Sequence, residues 1–122
     1  MKDTTKAEVL TQVGPVERGQ CFVVAVRVAE ALAPLVDDEV RVVHGRPTGT
    51  GGETEGQVYD HAWVEAGRTV FDASNPDLGL LAAPLVVYYA IGNINADECL
   101  RYDLQEVRRQ MVEQGHYGPW HK

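Results

Sequence analysis

The most informative stretch of the chain is GQCFVVA, residues 19–25, in which a cysteine stands between a loop and a strongly apolar segment. From Gln20 to Leu35 the apolar residues leave only a narrow polar stripe at Arg27 and Glu30. The length of this segment and its alanines favour a buried helix over a strand, and a proline near its end is expected to stop it. The sequence therefore predicts that Cys21 lies at the amino-terminal end of a core helix.

Strand patterns follow this helix. Residues 39–44 are typical of one strand, and residues 57–66 and 69–73 are typical of a hairpin with its turn at Gly67. Between the first strand and the hairpin, residues 45–56 contain five glycines and predict a loop with a mobile tip.

Helices are expected at three further places. Residues 6–12 predict a short helix, and a second is expected from Pro84 through residue 91. Asp103 and Glu106 have the spacing of a capping box and open a final helix, after a short strand at residues 99–102. The aromatic tail of the chain is expected to dock on the body. This order of elements predicts an α+β fold in which the helix that begins with the cysteine packs on a small antiparallel sheet.

Length and charge limit the functions that the chain can have. Its 122 residues predict a single domain, residues 1–122. A formal net charge of -7 argues against nucleic-acid binding, which depends on lysine and arginine. No apolar run approaches the length of a membrane-spanning helix, and residues 1–6 lack the apolar core of a signal peptide. We therefore expect a cytoplasmic protein that binds neither nucleic acid nor a membrane.

The cysteines and histidines do not have metal-site spacing. Cys21 and Cys99 are the two cysteines, and in a cytoplasmic protein a disulfide between them is not expected. The spacings CxxC and HxxxH of zinc sites are absent, as is the acidic loop that binds calcium. The glycine-rich loop lacks the Gly-Lys-Ser/Thr of a phosphate loop. No metal or cofactor is expected.

Three residues offer a nucleophile, a base and a carboxylate that orients the base. Cys21 would be favoured as the thiolate by the start of its helix, and His61 on the first hairpin strand would exchange a proton with it. Asp72 on the second hairpin strand, close to the position opposite His61, would fix the tautomer of the imidazole. The pattern indicates nucleophilic chemistry at the thiol.

Several neighbours of these residues could support the reaction. Backbone N–H groups at the start of the helix could form half of an oxyanion hole. Strand alternation places His61, Trp63 and Glu65 on one face of the first hairpin strand. Gln20 and Trp63 are candidates for oxyanion or substrate contacts, although a packing role is more common for such a tryptophan. Glu65 is expected to pair with a neighbouring cation.

Four segments of the chain resemble transglutaminases. GQCFVVA (19–25) resembles their nucleophile segment Gly-Gln-Cys-Trp-Val-Phe-Ala, and RVV (41–43) resembles the strand that follows it. HAWVE (61–65) is similar to His-Val-Trp-x-Glu, which carries their base, and FDAS (71–74) is similar to Leu-Asp-Ala-Thr, which carries their aspartate. The resemblance implies a papain-like α+β core and acyl transfer at a cysteine, from an amide to an amine or to water.

The chain also departs from the animal enzymes of that family. Their oxyanion hole is completed by a tryptophan upstream of the nucleophile, which this chain lacks; Gln12 and Gln20 are the nearest amides before Cys21. Those enzymes are larger and depend on calcium, whereas many bacterial members of the wider superfamily look like proteases or amidases, and some look inactive.

Two functions therefore stay open. The first is a cysteine enzyme that acts on an amide or peptide bond of a peptide or protein. Hydrolysis is favoured over transfer to an amine, because few aromatic residues besides Trp63 are expected near the triad and the glycine-rich loop should leave the site wet. The second is a catalytically inactive module of the same fold that binds a peptide or a protein partner.

Overall fold

The structure, a computed structural model, describes residues 2–120 and contains four helices and five strands in that range. The helices are α1 (Asp3–Val13), α2 (Cys21–Leu32), α3 (Leu85–Ile91) and α4 (Leu104–Gln114). The strands are β1 (Val40–Gly45), β2 (His61–Ala66), β3 (Thr69–Asp72), β4 (Leu81–Pro84) and β5 (Leu100–Asp103). The fold class is α+β, which confirms the prediction. No helix within residues 2–120 is long and apolar enough to cross a membrane.

The strands form one antiparallel sheet in the order β4-β3-β2-β1-β5. β2 lies at its centre, and all six of its residues are buried. The hairpin between β2 and β3 turns at Gly67, whose φ of 61° favours glycine. β2 begins at His61 and not at Gln57 as predicted, because the preceding residues form an isolated β-bridge between Thr48 and Val58 instead of a continuous ladder.

β4 was not predicted from the sequence. Its four residues, LAAP, include two alanines and a proline, which have low strand propensity. The proline is tolerated because β4 is an edge strand, in which the backbone groups that face away from the sheet need no hydrogen-bond partner in it. The strand forms because residues 81–84 pair with all four residues of β3.

α2 forms the centre of the main core, as its apolar pattern predicts. The helix begins at Cys21, and after Leu32 the chain continues as a short 3-10 turn that contains Pro34. Val24, Val28 and Leu32 are buried in one cluster with side chains of β1 and β2. α2 thus covers one face of the sheet, with α1 and α4 beside it.

The other face of the sheet carries a second, smaller cluster. Val43, Trp63, Val70 and Tyr89 are buried there, and Tyr89 comes from α3. β1 passes so close to the indole that a Cβ on Gly45 would lie 2.4 Å from Cη2 of Trp63. Only glycine fits at that position of the strand.

The ends of the chain agree with the sequence analysis. α1 includes the predicted helix at residues 6–12, and α4 begins with the predicted capping box of Asp103 and Glu106. The aromatic tail docks on the body: Trp120 is buried, and its indole N–H donates to the carbonyl of His116 at 2.8 Å.

Candidate active site

Cys21 is the first residue of α2, and its side chain is half-buried. The first intrahelical bond runs from the Val24 N–H to the Gln20 carbonyl at 2.9 Å, so the N–H groups before Val24 have no acceptor within the helix. Within residues 2–120 the exposed Gln20 side chain makes no capping hydrogen bond to them. The thiol therefore lies at the positive end of an uncapped helix. Gln12 instead lines a groove with the middle of α2 and with α4.

His61 and Asp72 are paired at the end of the sheet nearest Cys21. The distance from His61 Nε2 to Asp72 Oδ2 is 3.0 Å, and both side chains are almost completely buried. The two residues are not direct partners in the hairpin, because Val64 pairs with Phe71 and the same register places Asp72 across from Trp63. The expectation that they lie nearly opposite is therefore off by two positions. Alternation along the strands still puts both side chains on one face.

Three donors hold the carboxylate of Asp72. His61 and the Tyr88 hydroxyl both contact Oδ2, the latter at 2.8 Å, and the Ser74 N–H donates to Oδ1 at 2.9 Å. Burial by itself would raise the pKa of Asp72, but the hydrogen bond and charge of His61, together with Ser74, lower it to about 2. The carboxylate is thus ionised and fixed in orientation.

His61 is held in its cationic form. Burial opposes its charge, but hydrogen bonds and charges from Asp72 and Cys21 raise the pKa of the imidazole to about 9. Because Nε2 faces Asp72, Nδ1 is the ring nitrogen left for the thiol. The structure therefore places the imidazole of His61 in contact with both Asp72 and Cys21.

Two tyrosines near the triad were missed by the sequence analysis, which expected few aromatic neighbours. The Tyr59 ring lies 5.5 Å from that of His61, and the Tyr88 ring lies 5.4 Å from that of Trp63. Tyr88 reaches Asp72 because α3 follows directly after β4, which pairs with Asp72. The sequence does predict a helix from Pro84, which carries Tyr88. The orientation of this helix depends on β4, which the sequence did not predict.

Trp63 has a packing role, which corrects its assignment as a substrate or oxyanion contact. Its side chain is 0% exposed, and its N–H donates to Glu65 Oε2 at 2.9 Å. Glu65 also accepts from the Tyr89 hydroxyl and pairs with Arg101 Nε at 3.3 Å. The expected cation partner of Glu65 is thus Arg101, and the indole is closed to any ligand.

The second cysteine lies outside this site, in the small cluster. Cys99 is a free thiol, as Cys21 is, and it packs at the edge of the small cluster around Trp63. Within residues 2–120, no group of three or more His, Cys, Asp or Glu side chains could hold a metal ion.

No family model, no curated protein and no solved structure matches this chain. The resemblance to transglutaminases rests on the four sequence segments and stays a prediction.

The stability of the protein is expected to depend on pH through His61 and Asp72. The pKa of His61 is raised from 6.5 to about 9, so its contribution is complete below pH 6.5 and is lost as the pH rises to about 9. The pKa of Asp72 is lowered from 3.8 to about 2, so its contribution is present above pH 3.8 and is lost as the pH falls to about 2. The pair therefore stabilises the fold most between pH 3.8 and pH 6.5.

Urea denaturation at pH 6.5 and at pH 9 measures the alkaline part of this effect. The free energy of unfolding should fall between the two pH values, and Asp72→Asn should reduce that fall because the main anionic partner of His61 is gone. An equal fall in both proteins would show that other groups cause it.

Proposed function

We propose that this protein is a transglutaminase-like cysteine enzyme that cleaves an amide or peptide bond by acyl transfer, with water as the favoured acceptor. One observation carries the proposal: the imidazole of His61 contacts the carboxylate of Asp72 at 3.0 Å and hydrogen-bonds the Cys21 thiol at the start of a helix. Such an arrangement provides a nucleophile, a proton donor and a group that orients the donor.

The first half of the reaction forms a thioester. The Cys21 sulfur, whose proton has passed to His61, attacks the carbonyl carbon of the amide, and N–H groups at the start of α2 stabilise the developing oxyanion. As the C–N bond breaks, the imidazolium of His61 gives its proton to the leaving amine. Asp72 keeps the imidazole ring in place throughout this step.

The second half of the reaction restores the thiol. His61, now neutral, accepts a proton from water as the water oxygen attacks the thioester carbon. The C–S bond breaks, the carboxylic acid leaves, and the proton on His61 returns to the sulfur. Tyr59 and Tyr88 remove the absence of aromatic neighbours as a ground for hydrolysis. The preference for hydrolysis rests on the half-buried Cys21 side chain, which water can reach.

Alkylation with iodoacetamide near pH 6 tests the proposal without a known substrate. Cys21 should be labelled at least about tenfold faster than Cys99, because His61 can take the proton of the Cys21 thiol and the sulfur lies at the start of a helix. Burial raises the pKa of Cys99, which therefore stays a thiol. His61→Ala should remove the difference, whereas His116→Ala, in the exposed part of the tail, should leave it.

Peptide mass spectrometry gives the two labelling rates separately. Similar rates for Cys21 and Cys99, unaffected by His61→Ala, would contradict the enzyme and favour the inactive binding module.

A further inference from the structure

A cavity of about 220 Å³ opens beside the triad, between β4, α3 and the loop after β1. Two of its walls also touch triad residues: the Tyr59 ring packs near His61, and the Tyr88 hydroxyl donates to Asp72. A group that fills this cavity would therefore contact the two tyrosines that border His61 and Asp72.

The lining of this cavity is uncharged and mostly apolar, and its polar side chains are those of Thr48, Thr50 and the two tyrosines. Its apolar members, apart from the two tyrosines, are Pro47, Leu81, Ala83, Val87, Ile91 and Ile94. None of the described residues that line it is charged, so an ionised group inside would lose its hydration without gaining a counter-charge. Leu81 and Val87 are 39% and 45% exposed, so a bound apolar group would remove surface from water.

The volume of the cavity limits what it can hold. Pockets that enclose a whole small ligand have volumes of about 300–1,000 Å³, so this cavity suits a single side chain better than a complete molecule. A second cavity near His61, of about 180 Å³, differs in chemistry because Arg46, Asp60 and Glu98 line it. The uncharged cavity is therefore the one that distinguishes aliphatic from charged groups.

We propose that the cavity between β4 and α3 is a specificity subsite for an aliphatic side chain on the acyl side of the amide that Cys21 attacks. This inference rests on the proposed function, since it assigns the substrate class of the same site. The substrate would be a peptide-like amide with a residue such as leucine, isoleucine or valine at the reacting carbonyl.

Four N-acetyl amino-acid chloromethyl ketones, carrying leucine, glycine, aspartate or lysine side chains, test the proposal on the full chain. In each reaction the Cys21 sulfur displaces chloride and forms a thioether. The leucyl compound should alkylate Cys21 about tenfold or more faster than the glycyl one, because its side chain is buried. The aspartyl and lysyl compounds should not exceed the glycyl one.

Two neighbouring valines of α3 provide a variant and its control. Val87→Asp places a charge in the cavity and should bring the leucyl rate close to the glycyl rate. Val86, which is 73% exposed, does not line the cavity, and Val86→Asp should preserve the leucyl preference. Val87→Asp should also react faster with the lysyl compound than Val86→Asp does, a gain that a misfolded protein could not give.

Iodoacetamide, which has no side chain, separates the two hypotheses. Its rate at Cys21 should be the same in Val86→Asp as in the unmodified protein, and the chloromethyl ketone rates of each variant are divided by its own iodoacetamide rate. If iodoacetamide shows no preference for Cys21 and no dependence on His61, the proposed function and the subsite both fail. If that preference is present but the leucyl compound is no faster than the glycyl one, or keeps its advantage in Val87→Asp, the subsite alone is overturned.

Discussion

Asp72→Asn is expected to reduce amide hydrolysis by about a thousandfold to ten-thousandfold while the protein stays folded. The asparagine removes the charge that holds His61 as a correctly oriented cation, but its side-chain oxygen can still accept the Ser74 N–H. The turn after β3 is therefore retained, and the loss should be in the turnover number and not in the amount of folded enzyme.

The release of p-nitroaniline from N-acetyl-leucine p-nitroanilide provides the measurement. Asp60→Asn is the matched control, because Asp60 directly precedes His61 but is exposed and pairs with Arg46 at 3.3 Å. It should change the rate little. Normal specific activity in Asp72→Asn, together with a large loss of stability, would make Asp72 a structural turn residue.

Glu65→Ala is expected to lower the free energy of unfolding by about 3–5 kcal/mol. Glu65 is 6% exposed and accepts hydrogen bonds from Trp63, Tyr89 and Arg101. Its removal leaves the buried indole N–H of Trp63 without its acceptor and separates Arg101 from its counter-charge. The cost should greatly exceed that of an ordinary surface carboxylate.

Glu39→Ala is the control for this effect. Glu39 pairs with Arg41 at 2.7 Å, but both side chains are at least half exposed, so its loss should cost less than about 1 kcal/mol. Urea denaturation of both variants measures the difference. If the two substitutions cost the same, the cluster around Glu65 does not stabilise the small core.

The positions of the triad residues could be predicted because each depends on local signals. A helix that begins at Cys21 follows from a loop sequence that changes abruptly into an apolar one. His61 and Asp72 share a face of the sheet because side chains alternate between the two faces along each strand. A shift of the pairing by an even number of residues therefore leaves a side chain on the same face. The error of two positions in their pairing left that face unchanged.

The surroundings of the triad depend on long-range packing, which local patterns do not encode. β4 is stabilised by its pairing with β3 and not by its own composition, and it sets the position of α3. Without it, the contact between Tyr88 and Asp72 and the neighbouring cavity could not be foreseen. The complete burial of Trp63 likewise follows from α3, which covers that face of the sheet.

The close approach of Gly45 to Trp63 limits how this protein can vary. Gly45 cannot gain even a methyl group, because the indole occupies that space, and the indole in turn is fixed by Glu65. In the loop that follows β1, a Cβ on Gly51 would have no atom of the described chain within 4 Å apart from its chain neighbours, and its φ of -176° is accessible to any residue. Six positions apart, one glycine is closed to substitution and the other has room for a side chain.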